Sequence, residues 1–118
     1  EGIAFEQLLA LNAVEDATGS KVKELVTIGG GSKSRFWCQI IADITGKTIC
    51  LPKNKEASAL GVGICAAVGA GWYPTFKEAA QKMTGVIKTI TPNYPMHEKY
   101  KGIFSEYEKI YPAINVIK

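Results

Sequence analysis

The stretch VTIGGGSKSRFW, residues 26 to 37, constrains this chain more than any other. Three consecutive glycines end an apolar, β-branched run, and a second apolar segment, FWCQIIADI, begins almost at once. Glycine tolerates backbone angles that other residues avoid and lets another group lie against the main chain. A triplet between a strand and a helix therefore serves a sharp turn or a ligand held at the backbone. Two glycines suffice for the turn. Three followed by SKSR favour the ligand, because the first N–H groups of a helix are unpaired and its dipole is positive there. Lys33 and Arg35 add cationic side chains to the same turn.

The rest of the chain reads as alternating elements. Ile3, Leu8, Leu11 and Val14 recur at helical spacing, predicting a helix over residues 2–17 that ends near Gly19. ELVTIGG predicts a strand buried on both faces, since it is apolar without alternation. Ser32 or Ser34 caps a helix carrying Phe36, Trp37, Ile40, Ile41 and Ile44, with Gly46 at its C′ position. KTICLP predicts a short strand stopped by Pro52. From Glu56 a helix runs through EASALGVGICAAVGAG, with Ala59, Gly63, Ala66 and Ala70 giving a face of little bulk. Each helical glycine costs about 1 kcal/mol relative to alanine, so Gly61 and Gly63 predict close approach of another element. Thr75 to Met83 forms a short helix, and VIKTITPNYP a connector or edge strand. Tyr100, Phe104, Tyr107 and Tyr111 form an aromatic stripe read as the buried face of a closing helix.

Composition excludes several classes. At 118 residues, 47% hydrophobic and 21% charged, the chain is of ordinary globular type. A net charge of +3 is compatible with an anionic ligand but falls short of a nucleic-acid footprint. No apolar run reaches the roughly 18 residues of a membrane span, so the expectation is a soluble, cytoplasmic chain without nucleic-acid or membrane partners. Cys38, Cys50 and Cys65 are odd in number, lack a C-x-x-C pair and lie in apolar segments. They read as buried free thiols, not a disulfide framework or metal site. His97, the single histidine, reads as a solvated residue near a helix start.

Two strands do not make a stable sheet alone. The expectation is a piece of a larger fold, with strands missing upstream and a stability below that of a complete domain. The absent initiating Met points the same way.

The two common phosphate motifs fit poorly. The Walker A spacing G-x-x-x-x-G-K-S/T is absent. Gly29, Gly31 and Ser34 fall loosely on G-x-G-x-x-G/A, but KTICLPKNK ends in lysines where a ribose-binding acid belongs. A Rossmann-like NADP-binding fragment therefore stays open as an alternative.

EGIAF, then IGGGSKSRFWCQIIADITG, then EASALGVGICAAVGAG, together resemble the C-terminal domain of the FGGY family of carbohydrate kinases. The xylulokinase-like branch is nearest, with autoinducer-2-kinase-like proteins beside it, and the resemblance runs from Glu1 to about Tyr111. It implies an α/β fold that is part of an actin-like, ribonuclease-H-like ATPase domain, with few strands and flanking helices. It implies that residues 1–118 are a partial C-terminal nucleotide-binding domain and that the N-terminal sugar-binding domain lies elsewhere. The activity it implies is transfer of the γ-phosphate of MgATP to a xylulose-like sugar hydroxyl. Gly29 would make the turn; Gly30, Gly31 and Ser34 would face the nucleotide, and Ser32 would open the flanking helix. Asn54 and Glu56 would precede a helix near the cleft, Trp37 would be core and Asp43 a helix-side hydrogen-bonding residue. The resemblance places the catalytic base and most Mg²⁺ ligands in the other domain, so the fragment alone would be inactive. A non-catalytic nucleotide-binding module and a homodimer of the complete enzyme stay open.

Overall fold

The computed structural model describes residues 1–115. In chain order it contains α1 (Gly2–Thr18), β1 (Glu24–Val26), a 3₁₀ turn (Gly30–Lys33), α2 (Arg35–Thr45) and β2 (Thr48–Pro52). α3 (Ala57–Gly69), α4 (Phe76–Met83), β3 (Val86–Ile90), α5 (Tyr94–Tyr107) and α6 (Ile110–Asn115) follow. Local chemistry sets most boundaries. Gly19 and Gly46 close α1 and α2 in the left-handed conformation, at φ 64° and 68°. Of the two candidate serines, Ser34 caps α2 by accepting from Trp37 N–H at 3.2 Å. Thr75 and Asn93 cap α4 and α5 in the same way.

The three strands form one sheet in the order β1-β2-β3. β1 runs parallel to β2 with Val26 opposite Cys50, and β3 runs antiparallel with Ile90 opposite Ile49. VIKTI is thus an edge strand. No parallel strand lies beside KTICL on the far side from β1, which removes the dinucleotide-fold alternative's expected neighbour. The register slips between Leu51 and Pro52, where proline has no N–H to offer the ladder.

The core lies on one face of this sheet. α1, α2 and α5 pack there around Phe5, Cys38, Ile41, Ile44, Ile49, Ile90 and Tyr100. Phe5 is the centre of the aromatic group, with Tyr107 at 5.0 Å and Tyr100 edge-on at 6.0 Å between ring centroids. Burying each large side chain of this kind contributes about 1.5–3 kcal/mol.

Several expectations are corrected. α1 turns Ala4, Phe5, Leu8, Leu11 and Glu15 inward, while Ile3 and Val14 are exposed. The inward face is displaced because Glu15 enters it, held by Lys47 Nζ at 2.7 Å, Lys21 Nζ at 2.9 Å and the Val22 N–H. β1 is shorter than ELVTIGG and is not covered on both faces, since Val26 is 63% exposed. Cys65 is exposed on α3, unlike Cys38 and Cys50. Tyr111 leaves the aromatic stripe for solvent, because α5 ends at Tyr107 and a new helix begins beyond it. Phe36, expected with the apolar face of α2, is also exposed.

His97 is not simply solvated. Its Nδ1 lies 2.7 Å from the Asp43 carbonyl oxygen and its ring covers Gly46. Asp43 is buried, and its carboxylate accepts from Gln39 Nε2 at 2.8 Å and from Asn93 N–H at 2.7 Å. That matches its hydrogen-bonding reading and excludes a surface role. No helix among the described residues is long and apolar enough to cross a membrane.

Candidate functional site

The glycine loop leaves the end of β1 and turns into α2. Gly29 has φ 75°, a conformation side chains disfavour, and so makes the turn. Its carbonyl accepts from both the N–H and the hydroxyl of Ser32, at 3.2 and 2.7 Å. Ser32 is accordingly buried, and its side chain locks the loop from behind. Gly31 is glycine for a different reason. A Cβ there would stand 3.3 Å from the Trp37 ring. Its carbonyl accepts from Ser34 N–H at 3.1 Å and lies 3.8 Å from the thiol of Cys38, whose pKa burial pushes up. Trp37 is half-buried and packs against the core, as expected.

Gly30 has neither constraint: no atom lies within 4 Å of a Cβ built on it, and its φ is ordinary. Among the described residues the N–H groups of Gly30 and Gly31 have no partner. The loop therefore presents two free donors and a bare backbone to open space. Lys33 and Arg35 are exposed beside them and join no ion pair among the described residues.

The loop is tied to the turn before α3. Gly29 N–H donates to the Lys55 carbonyl at 3.4 Å, and Asn54 Oδ1 accepts from Glu56 N–H at 2.9 Å. Below this junction, on the Val26 face of the sheet, lies a cavity of about 400 Å³. Val26, Ile28, Leu60, Gly61, Ile64 and Val86 contribute its apolar wall, and Asn54 stands among its few polar groups. Such a lining with sparse polar groups suits a flat, mostly apolar ligand portion.

Close packing on the small face of α3 is not what the structure shows. A Cβ on Gly61 would meet nothing within 4 Å, and one on Gly63 only the Met83 methyl at 3.7 Å. Val62 and Trp72 are 70% and 78% exposed. Gly61 instead widens the cavity. Of the cavity residues the sequence singled out Asn54 and Gly61 but not Leu60, Ile64 or Val86, although a glycine inside an apolar helix signals space for a ligand as well as for a neighbouring element.

The structure brings Gly29, Gly30, Gly31, Ser32 and Ser34 into one loop, with Ser32 turned inward and the Ser34 hydroxyl engaged as a cap. Glu56 adjoins this junction, and its side chain joins no ion pair among the described residues. Among the described residues no group of three or more His, Cys, Asp or Glu side chains converges to hold a metal ion.

A sequence model of the FGGY family of carbohydrate kinases, C-terminal domain, matches residues 1–70. A xylulose kinase of Staphylococcus epidermidis is 35% identical over 111 residues, covering 94% of this chain and 22% of that protein. An autoinducer-2 kinase of Escherichia coli K12 is 34% identical over the same length, covering 94% and 21%. This chain thus spans about a fifth of the length of the curated relatives it matches. Among solved structures, a xylulose kinase from Lactobacillus acidophilus superposes with a TM-score of 0.82 at 23% identity, covering 96% of this chain and 23% of that one. The "xyloylose kinase" from Brucella ovis gives 0.83 at 26%, covering 98% and 24%.

Proposed function

The chain belongs to the FGGY family of carbohydrate kinases, whose members have the actin-like, ribonuclease-H-like ATPase fold, and on that premise we propose that residues 1–118 form part of the nucleotide-binding domain of an ATP-dependent sugar kinase. The observation that carries this reading is the glycine loop itself. Two unpaired N–H groups on a bare backbone follow directly on Ile28, which lines an apolar cavity large enough for a purine.

Each residue has a role in this reading. Gly29 makes the turn, Gly30 and Gly31 donate to the nucleotide, Ser32 locks the loop and Ser34 fixes the N-terminus of α2. Lys33 and Arg35 make the potential more positive, and so more favourable for phosphate oxygens, at the same end of the helix. The bound nucleotide would supply the phosphoryl group for a xylulose-like hydroxyl, a transfer that depends chiefly on positioning and charge neutralisation. In this reading the protein ligands of Mg²⁺, the catalytic base and the sugar-binding domain belong to the remainder of a longer, cytoplasmic protein.

Titration of the ¹⁵N-labelled chain with ATP tests the site. Amide shifts are expected at residues 29–35 and along the cavity wall at Gly61 and Gly85. Shifts confined to other regions, or none, would overturn it. Sugar phosphorylation by this chain alone would overturn the placement of the base elsewhere.

A further inference from the structure

The break between α5 and α6 builds a cleft that shares no residue with the glycine loop. α5 ends at Tyr107, and α6 begins at Ile110. Tyr107 stays with the core, its ring centroid 5.0 Å from that of Phe5 and its hydroxyl donating to Glu6 Oε1 at 2.6 Å. The backbone of the break is closed by Glu108 N–H on the Phe104 carbonyl and Lys109 N–H on the Glu106 carbonyl. Tyr111 is thereby carried off the aromatic stripe. It lines two cavities, of about 420 and 150 Å³, that both include Glu6 and Leu9 of α1 and Glu108. Pro112 adds to the larger cavity and Tyr107 to the smaller.

The lining is one-sided in charge. Its polar side chains are two carboxylates and two phenols, and no lysine, arginine or histidine contributes to either cavity. Glu6 and Glu108 join no ion pair among the described residues, whereas Lys109 is taken by Glu106 at 2.7 Å. The Tyr107 hydroxyl orients Glu6 without neutralising it, because its hydrogen bond to that carboxylate raises the phenol's pKa and keeps the proton in place. Glu108 is also the C-cap of α5, the end at which a helix carries partial negative charge. The rest of the larger cavity is Leu9, Pro112 and the exposed ring of Tyr111. A hydrated metal ion gains nothing from such a wall. An organic ammonium does, because its methylene groups are buried on the aliphatic side chains while its charge meets a ring face and a carboxylate. A single ammonium would leave one of the two carboxylates unmatched. The complement is a dication with an apolar spacer.

We propose that this cleft binds a linear aliphatic diamine or polyamine. Ammonium groups of the ligand lie on Glu6 and Glu108, and the methylene chain between them runs along Leu9 and Pro112 against the Tyr111 ring. The site uses neither the glycine loop nor a nucleotide, so the inference stands whether or not the loop binds ATP.

Titration of the ¹⁵N-labelled chain at about 0.1 M salt, where exposed charges are screened beyond roughly 10 Å, separates this site from general attraction. Putrescine and spermidine are expected to shift the amides of Leu9, Glu108 and Tyr111 to saturation and to leave residues 29–35 unmoved. Nα-acetyl-lysine amide, with one ammonium on a comparable stem, should bind about ten-fold more weakly or worse. Glu6→Gln keeps an oxygen for the Tyr107 hydroxyl, so the fold is retained while diamine affinity falls about ten-fold, and Glu108→Gln has the same effect. Tyr111→Leu keeps apolar bulk but loses the ring face, and weakens binding about three-fold. No saturable shift, shifts centred elsewhere, or glutamine variants that bind as the parent does would overturn the proposal. Equal binding of the lysine derivative would also overturn it, and would make a protein side chain the occupant. So would the same shifts with magnesium chloride at equal concentration, which would mark an unspecific cation site.

Discussion

The two faces of the sheet are built on different principles. On one, α2 lies against β2 and β3 with α1 and α5 packed on it, and Ile44, Ile49 and Cys38 are sealed from solvent. On the other, α3 stands off across a cavity of about 400 Å³, with Gly61 on its wall and Val26 and Val86 more than half exposed. The first face is an interior. The second is a surface shaped by apolar side chains, and the glycine loop follows directly on Ile28 of the cavity wall. The body is elongated, at 57 × 33 × 26 Å. Its radius of gyration, 17.8 Å, exceeds the roughly 13 Å of a compact chain of this length.

The contrast breaks or holds first at Ile49. Truncation of a fully buried isoleucine at the central strand leaves a cavity that close-packed neighbours do not fill. Ile49→Ala is expected to lower unfolding free energy by about 4 kcal/mol. Ile64→Ala, on the cavity wall, enlarges space that already exists and is expected to change it by less than about 1 kcal/mol. Urea unfolding of both variants measures the difference, and equal losses would show that α3 is packed as tightly as α2.

Glycines sharpen the same comparison. Gly46 has φ 68°, and a Cβ there would lie 2.6 Å from His97 Cε1, in a ring held by its bond to Asp43. Gly46→Ala is expected to destabilise by about 3 kcal/mol, from backbone strain plus displacement of His97. A melting curve unchanged from the parent would show that the α2–α5 junction yields.

Much of the well-packed face was legible in the sequence, because packing leaves periodicity. Gly46 after ADIT, the Ser34 cap and the Tyr100, Phe104, Tyr107 spacing each announce local structure that tertiary contacts then reinforce. Where a polar residue enters the core, periodicity misleads. Glu15 shifts the inward face of α1 away from Ile3 and Val14, and nothing local marks Lys47, 32 residues on, as its partner. The glycine loop was legible as a feature, with Gly29 for the turn, but not the division of labour beyond it: Gly31 against Trp37, and Gly30 under neither constraint. The cavity beneath α3 was not legible, since Val26, Leu60 and Val86 come from three separate elements. The family, by contrast, was readable from contiguous motifs.

Glu15 gives the packed face a pH signature. Hydrogen bonds from Lys47, from Lys21 and from the Val22 N–H hold its carboxyl down at about 2, against an ordinary value of 4.5. A depressed carboxylate stabilises the fold above its unfolded pKa, and that contribution is lost as pH falls through the folded one. The loss therefore falls between about 4.5 and about 2. Glu15→Gln should be less stable than the parent at neutral pH, and the two should converge across that acid window. Denaturant midpoints measured from pH 7 to pH 2 check this, and parallel curves would show that Glu15 is not held by its lysines when the protein is in solution.

The smallest expected effect on stability is at Gly30, and it distinguishes the two faces most sharply. Its backbone angles suit any residue, and an added Cβ meets open space. Gly30→Ala should therefore leave the unfolding free energy within about 0.5 kcal/mol of the parent. If the bare backbone at that point is where a nucleotide lies, the same methyl group occupies the ligand's space and tilts the free N–H groups away from it. ATP affinity should then fall about ten-fold, the equivalent of one hydrogen bond lost or badly aligned. Calorimetric titration with ATP, run beside the unfolding curve, reads both quantities from one preparation. A variant that binds ATP as the parent does would show that Gly30 is bare for no ligand's sake. One that loses stability instead would place the loop with the packed face.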